Sequence, residues 1–312
     1  MMVKQILSCD WGTTSFRLRL VNTEDGTVLD EITGGKGIAV VYNDWLQSGL
    51  PENERVSFYK SILQTHINKF STNDLAALPL IISGMASSTI GITELPYGDL
   101  PFEIKAGNLQ VRKIDGDENF KHDILLVSGL KTNTDVMRGE ETMMLGCEIN
   151  QEEELFIFPG THSKHATLKN KCCFNFKTYM TGEVFDLLAN KSILSKSVEK
   201  NNSDHCNPIF EAAVKQAASG NLLNNIFHVR TNQLFKNLTA AENYNYLSGL
   251  VIGAELKDIA NSNKKIQLVC DKALAEFYLR ALKILTPNSE INYTNSDEAL
   301  VKGHCRLANL LL

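Results

Sequence analysis

Two short stretches carry the residue types needed to hold phosphate. The first is Asp10-Trp11-Gly12-Thr13-Thr14, directly after the apolar run Ile6-Leu7-Ser8-Cys9. The second is Pro159-Gly160-Thr161-His162-Ser163-Lys164, directly after Leu155-Phe156-Ile157-Phe158. A tight turn of Gly and Thr presents successive backbone N–H groups, and such a concavity binds anions. Glycine lets the backbone approach the ligand closely, and the hydroxyls add donors of adjustable direction. The candidate phosphate contacts are therefore Gly12, Thr13 and Thr14 on one tip and Gly160, Thr161, His162 and Ser163 on the other. Asp10 would repel phosphate, but it suits Mg²⁺, which takes one or two carboxylates together with phosphate oxygens. A single such hairpin reads equally well as an ordinary turn with Asp10 as its cap. Two copies about half a chain apart favour phosphate.

Three further stretches have chemical potential. Asp135-Val136-Met137-Arg138-Gly139-Glu140-Glu141-Thr142 is polar and falls between an expected strand and an expected helix, where α/β folds place ligands. Asp135 there suits a general base, and Arg138 a phosphate or carboxylate fork. The same residues also read as a helix start, with Asp135 as cap and Glu140 and Glu141 as first-turn acids. Lys164 in the second tip suits phosphate or carboxylate, and His162 beside it is a donor. The tip Ser83-Gly84-Met85-Ala86-Ser87-Ser88 follows a buried run and can line a substrate pocket, with Met85 on its wall. No Walker-type loop and no G-x-G-x-x-G follows a strand, so a nucleotide would be held by hairpins.

The elements that must position these residues alternate as in an α/β fold. Each tip joins two strands, and a third follows in each copy, over residues 27–33 and 172–178. The periodicity predicts helices over 54–70, 138–149, 182–194, 272–285 and 297–311, a mostly helical stretch over 207–260, and strands over 79–83, 124–128, 266–269 and 291–293. Small residues four apart around Gly249 and Gly253 predict a close helix contact. The duplicated hairpins suggest two related halves facing each other across a cleft, divided near residue 131 into 1–131 and 132–312.

Composition narrows the class. The chain has 312 residues, 43% hydrophobic and 21% charged, with a net charge of −5. Lys and Arg form no stripe, which argues against a nucleic-acid partner. No apolar run is long enough to span a bilayer, and no signal-peptide pattern opens the chain. Seven cysteines without a C-x-x-C pair read as buried thiols in a reducing compartment, here the cytoplasm. Oligomeric state is left open.

Asp10-Trp11-Gly12-Thr13-Thr14 resembles the first phosphate loop of the actin-like ATPase superfamily, and residues 159–164 look like its second. Together with residues 135–142, Leu145-Gly146, residues 178–185 and Ser192-Ile193-Leu194, they resemble the 2-dehydro-3-deoxygalactonokinase family. The resemblance implies two RNase H-like domains, with transfer of phosphate from ATP, with Mg²⁺, to the 6-hydroxyl of 2-keto-3-deoxygalactonate, a small sugar acid of galactonate catabolism. It implies Asp10 as the Mg²⁺ ligand, Asp135 as the base with Glu141 as the alternative, and Arg17, Arg138 and Lys164 as cations for the substrate carboxylate. Two stretches depart from the family pattern. Residues 87–97 lack the expected Arg, Gln and Trp, and Val269-Cys270-Asp271-Lys272 replaces a Gly-Ser turn near the adenosine. A kinase for another sugar acid, or an ATP-dependent switch or sensor, is the alternative reading.

Overall fold

The computed structural model describes residues 3–72, 75, 77–104, 109–149, 152–200 and 208–312. Cys206, and the expected helical start at residue 207, lie outside them. In chain order the first half holds β1 (Gln5–Trp11), β2 (Phe16–Asn22), β3 (Val28–Thr33), α1 (Ile38–Ser48), α2 (Arg55–Ile67), β4 (Leu80–Gly84), β5 (Gly98–Asp99), β6 (Phe102–Glu103), β7 (Val111–Ile114), β8 (Ile124–Val127), β9 (Leu130–Lys131), β10 (Val136–Met137) and α3 (Glu140–Gly146). The second half holds β11 (Glu153–Phe158), β12 (Ser163–Lys169), β13 (Cys172–Tyr179), α4 (Thr181–Lys191), α5 (Pro208–Ser219), α6 (Leu222–Asn225), α7 (Phe227–Leu234), α8 (Ala240–Leu256), β14 (Lys265–Cys270), α9 (Lys272–Leu285), β15 (Ile291–Asn295) and α10 (Ser296–Leu311).

These elements gather into two compact units. One comprises Met1–Ile149, Lys171–Asn175 and Ser296–Leu312, the other Asn150–Asn170 and Phe176–Asn295. Lys131 thus lies within the first unit, and the last helix returns to it.

The first unit is built on a sheet in the order β3-β2-β1-β4-β8-β7. β1, β2 and β3 are antiparallel neighbours, while β4 and β8 continue parallel to β1. Alternation along β1 sorts its side chains between two faces. Leu7, Cys9 and Trp11 enter a core with Ile38 and Val41 of α1 and Tyr59, Leu63 and Ile67 of α2. Ser8 and Asp10 are left for the opposite face, where Ser8 bonds His304 of α10.

The second unit repeats the plan in the order β13-β12-β11-β14-β15, with β14 and β15 parallel to β11. Leu155 and Ile157 pack with Leu268, Tyr278 and Leu282. A Cβ on Gly249 would stand 2.5 Å from the Phe210 carbonyl oxygen, so the small residues of α8 admit the backbone of α5, as their spacing predicts. This shared strand order is the RNase H-like arrangement of the actin-like ATPases.

Three expectations need correction. The helix expected over 138–149 spans only Glu140–Gly146, because Gly139 takes φ 113°, a value that ends helical backbone. α1 was not anticipated, although Ile38, Val41 and Trp45 form its buried stripe. Cys172 is half-buried, whereas the other described cysteines are buried free thiols.

Candidate active site

Both expected tips are hairpin turns, and each is held by the helix that follows its third strand. In the first unit Gly12 N–H donates to Ser15 O at 3.0 Å, closing the turn. The first amides of α1 then bond the tip carbonyls, Ile38 N to Gly12 O at 3.0 Å and Ala39 N to Thr13 O at 3.1 Å. The fit is close, since a Cβ on Gly37 would fall 2.4 Å from Thr13 O. In the second unit Gly160 N–H donates to Ser163 Oγ at 3.3 Å, and Glu183 N of α4 bonds Thr161 O at 3.1 Å. A Cβ on Gly182 would fall 2.5 Å from Gly160 O. Each tip thus gives carbonyl oxygens to a helix N-terminus, Gly12 and Thr13 to α1 and Thr161 to α4. Thr13 and Thr14 are exposed, as is Thr161, while Gly12 and Gly160 are half-buried. Around Gly160 a Cβ would meet nothing within 4 Å, so open space faces that backbone.

Within the second tip, the expected residues divide. Ser163 is buried, with its hydroxyl also 3.3 Å from Tyr278 Oη. Tyr278 donates to Glu255 Oε2 at 2.5 Å, and His165 Nε2 lies 2.8 Å from Glu255 Oε1. Glu255 of α8 and Tyr278 of α9 therefore brace the tip from beneath. Lys164 is buried and its Nζ donates to His162 O at 2.8 Å. The His162 ring pairs with Glu183 at 2.5 Å. Ser163 and Lys164 thus shape the turn, and nothing in residue spacing pointed to Glu255 or Tyr278.

Asp10 stands opposite Arg17 on β2 and Ser83 on β4. Its Oδ2 is 3.6 Å from Arg17 Nη1, and its side chain is 19% exposed. Asp297 in the first turn of α10 ties Arg17 (3.2 Å) to the buried Arg19 (2.9 Å). Burial holds the Asp10 carboxyl above its usual range, opposed by Arg17 and Arg19 and reinforced by Asp297 and Glu140. Such a partly desolvated carboxylate suits a hard cation. Among the described residues no group of three or more His, Cys, Asp or Glu could hold a metal. A cation at Asp10 would take its other ligands from phosphate and water, the habit of Mg²⁺.

Asp135 and Glu141 occupy different settings. Asp135 closes the β9–β10 turn, its N–H donating to Thr132 Oγ1 at 2.8 Å and its carbonyl accepting from Thr132 N at 2.9 Å. It is thus five residues before α3 rather than at the helix start. Glu141 lies in the first turn of α3 and is buried. The Gly139 N–H bonds both carboxylate oxygens, at 2.9 and 2.8 Å, and Thr142 Oγ1 donates to Oε1 at 3.1 Å. Burial, with Glu140 adjacent, pushes the Glu141 carboxyl up to about 7. Gly84 (φ 90°) and Gly139 (φ 113°) meet beside this carboxyl, and a Cβ on Gly139 would lie 3.9 Å from Gly84 Cα. Only glycine adopts such backbone without strain, and a Cβ on Gly84 would stand 3.5 Å from Asp10 Oδ1.

Arg138 donates from Nη1 to Ser87 O (2.7 Å) and Ser87 Oγ (2.6 Å), and its guanidinium lies 4.1 Å from the centre of the Tyr97 ring. Its buried Nε has no hydrogen-bond partner among the described residues. Met85 is half-buried at the head of the same loop. That loop, where the sequence departs from the family pattern, is fixed by α2. Arg55 Nε donates to Gly91 O at 2.9 Å and Tyr59 Oη to Ile90 O at 2.6 Å. At the second departure, Asp271 caps α9 by accepting from Leu274 N at 3.0 Å.

Among the described residues no helix is long and apolar enough to cross a membrane. The profile of the 2-keto-3-deoxy-galactonokinase family matches residues 10–307. The chain is 32% identical over 309 residues to a Rhizobium meliloti (strain 1021) protein assigned to 2-dehydro-3-deoxygalactonokinase, covering 94% of this chain and 93% of the relative. It is 29% identical over 216 residues to the 2-dehydro-3-deoxygalactonokinase of Escherichia coli (strain K12), covering 66% of this chain and 71% of the relative. A crystal structure from Sinorhizobium meliloti, also assigned to 2-dehydro-3-deoxygalactonokinase, superposes with a TM-score of 0.82 at 32% identity, covering 97% of this chain and 95% of the other.

Proposed function

The chain belongs to the 2-keto-3-deoxy-galactonokinase family, and we propose that it transfers the γ-phosphoryl group of ATP to the 6-hydroxyl of 2-dehydro-3-deoxygalactonate in galactonate catabolism. It is a phosphotransferase with an alcohol acceptor. The observation that carries the assignment of roles is the Glu141 carboxyl, buried yet held by an amide and a hydroxyl, and poised at about 7. A base works best when its pKa lies near the operating pH. Glu141 takes the proton of the acceptor hydroxyl, and Asp135 serves its turn.

The amides of Gly12, Thr13 and Thr14 and of Gly160 and Thr161 receive the phosphates, with the exposed threonine hydroxyls as further donors. Ser163, His162 and Lys164 fix the second tip. Asp10 would hold Mg²⁺, which when bound neutralises phosphate charge. Arg17 orients Asp10, and Arg138, held by Ser87 and Tyr97, supplies positive charge for the sugar-acid carboxylate. The half-buried and buried free thiols suit a reducing cytoplasm.

Glu141→Gln and Asp135→Asn separate the two bases. Glu141→Gln is expected to lose about 10²–10⁴ in kcat, while Asp135→Asn retains turnover. The reverse pattern would return the base to Asp135.

A further inference from the structure

A buried file of hydrogen bonds ends on Glu141. Ser8 Oγ lies 2.7 Å from His304 Nδ1, and His304 Nε2 lies 2.8 Å from Ser83 Oγ. Ser83 Oγ is 2.8 Å from Thr142 Oγ1, which reaches Glu141 Oε1 at 3.1 Å. None of the five residues is more than 1% exposed. They come from β1, β4, α3 and α10, and the phosphate-binding roles above use none of the first four.

The chemistry of the groups fixes the direction of the file. An ionised carboxylate only accepts, so the single proton of Thr142 points to Glu141. Thr142 then accepts from Ser83, and Ser83 from His304 Nε2–H. His304 Nδ1 is left to accept from Ser8. The imidazole stays neutral, since burial lowers it to about 3 with Arg19 adding to the effect, and a neutral ring has one donor and one acceptor. Every donor in the file therefore faces the carboxylate.

We propose that His304 is a positioning residue for phosphoryl transfer, holding Glu141 ionised and oriented through Ser83 and Thr142. The proposal rests on Glu141 as the base. Hydrogen bonds to the charged form favour that form, and a chain of them is polarised along its length. The Gly139 N–H holds both oxygens from one side, and the file adds the Thr142 hydroxyl as a further donor to Oε1.

The test pairs a spectrum with kinetics on the intact chain. Nitrogen-15 NMR of the labelled histidine rings, at pH 8 without ligands, is expected to show His304 as the Nε2–H tautomer. In Glu141→Gln, where an amide can donate as well as accept, the tautomer should become mixed or reverse. Thr142→Val is expected to lower kcat about tenfold to a hundredfold, the rate equivalent of one hydrogen bond to a charged group, with KM for ATP and sugar acid unchanged. Thr142→Ser should restore it. An Nδ1–H tautomer in the wild type, or full kcat in Thr142→Val, would overturn the proposal. Turnover in Glu141→Gln would instead remove Glu141 as base and, with it, the catalytic role of the file, while the tautomer result would still report its direction.

Discussion

Gly303 of α10 lies so near Thr142 of α3 that a Cβ on it would stand 2.1 Å from the Thr142 carbonyl oxygen. A Cβ on Gly146 would in turn stand 1.7 Å from Ala299 O. The two helices meet backbone on backbone, and that contact sets the distance between His304 and the Glu141 turn. Gly303→Ala must push them apart. We expect it to cost about 1–3 kcal/mol, the usual penalty of overpacking, and to lower kcat as well. Urea denaturation and steady-state kinetics check both, and an unchanged midpoint would contradict the contact.

Glu141 links activity to stability through pH. Its folded pKa of about 7 lies above the value of an unfolded glutamate. Ionisation therefore penalises the folded state, fully above about 7, and the penalty fades as pH falls toward about 4.3. Glu141→Gln lacks the penalty. Its stability should therefore change less than that of wild type between pH 4 and pH 8, by up to about 4 kcal/mol. Wild-type kcat should fall as pH drops below about 7. Thermal melts of the two proteins across this range check it, and parallel pH profiles would contradict the raised Glu141 carboxyl.

The second tip is a matter of helix contact. Gly182→Ala would place a methyl 2.5 Å from Gly160 O, and backbone there has no flexible end to yield. The tip must move, so KM for ATP should rise while KM for the sugar acid changes little. Equal changes in both would show that the tip is not a nucleotide contact.

Arg138 is held through Nη1 by Ser87 and stacked on Tyr97. Lysine keeps the charge but not the planar stack on Tyr97. Arg138→Lys is expected to raise KM for the sugar acid about tenfold, the loss of one charge-assisted bond, and to spare KM for ATP. Substrate titration at saturating ATP decides it.

The two tips were legible because each is local. Glycine and threonine after an apolar run specify a turn without help from distant residues, and both sheets followed from the strands around them. The base was harder to read. Asp135 and Glu141 both sit among polar neighbours, and the proposed preference for Glu141 rests on its burial and its Gly139 N–H bonds, which residue types do not show. The paired helix anchors at Gly37 and Gly182 left only ordinary glycines in the sequence. Ser8 and His304 are 296 positions apart, and neither residue type at its own position signals a partner. Arg19 left a faint trace, as the second member of Arg17-Leu18-Arg19 on one strand face.

The most direct measurement is ATP turnover with Mg²⁺ in the presence of 2-keto-3-deoxygalactonate, its gluconate epimer, or no sugar acid, with the phosphorylated carbon identified by phosphorus-31 NMR. The account predicts ADP release that requires a sugar acid, prefers the galactonate form and yields its 6-phosphate. ATP hydrolysis at the same rate without any sugar acid, or a phosphate on another oxygen, would contradict it.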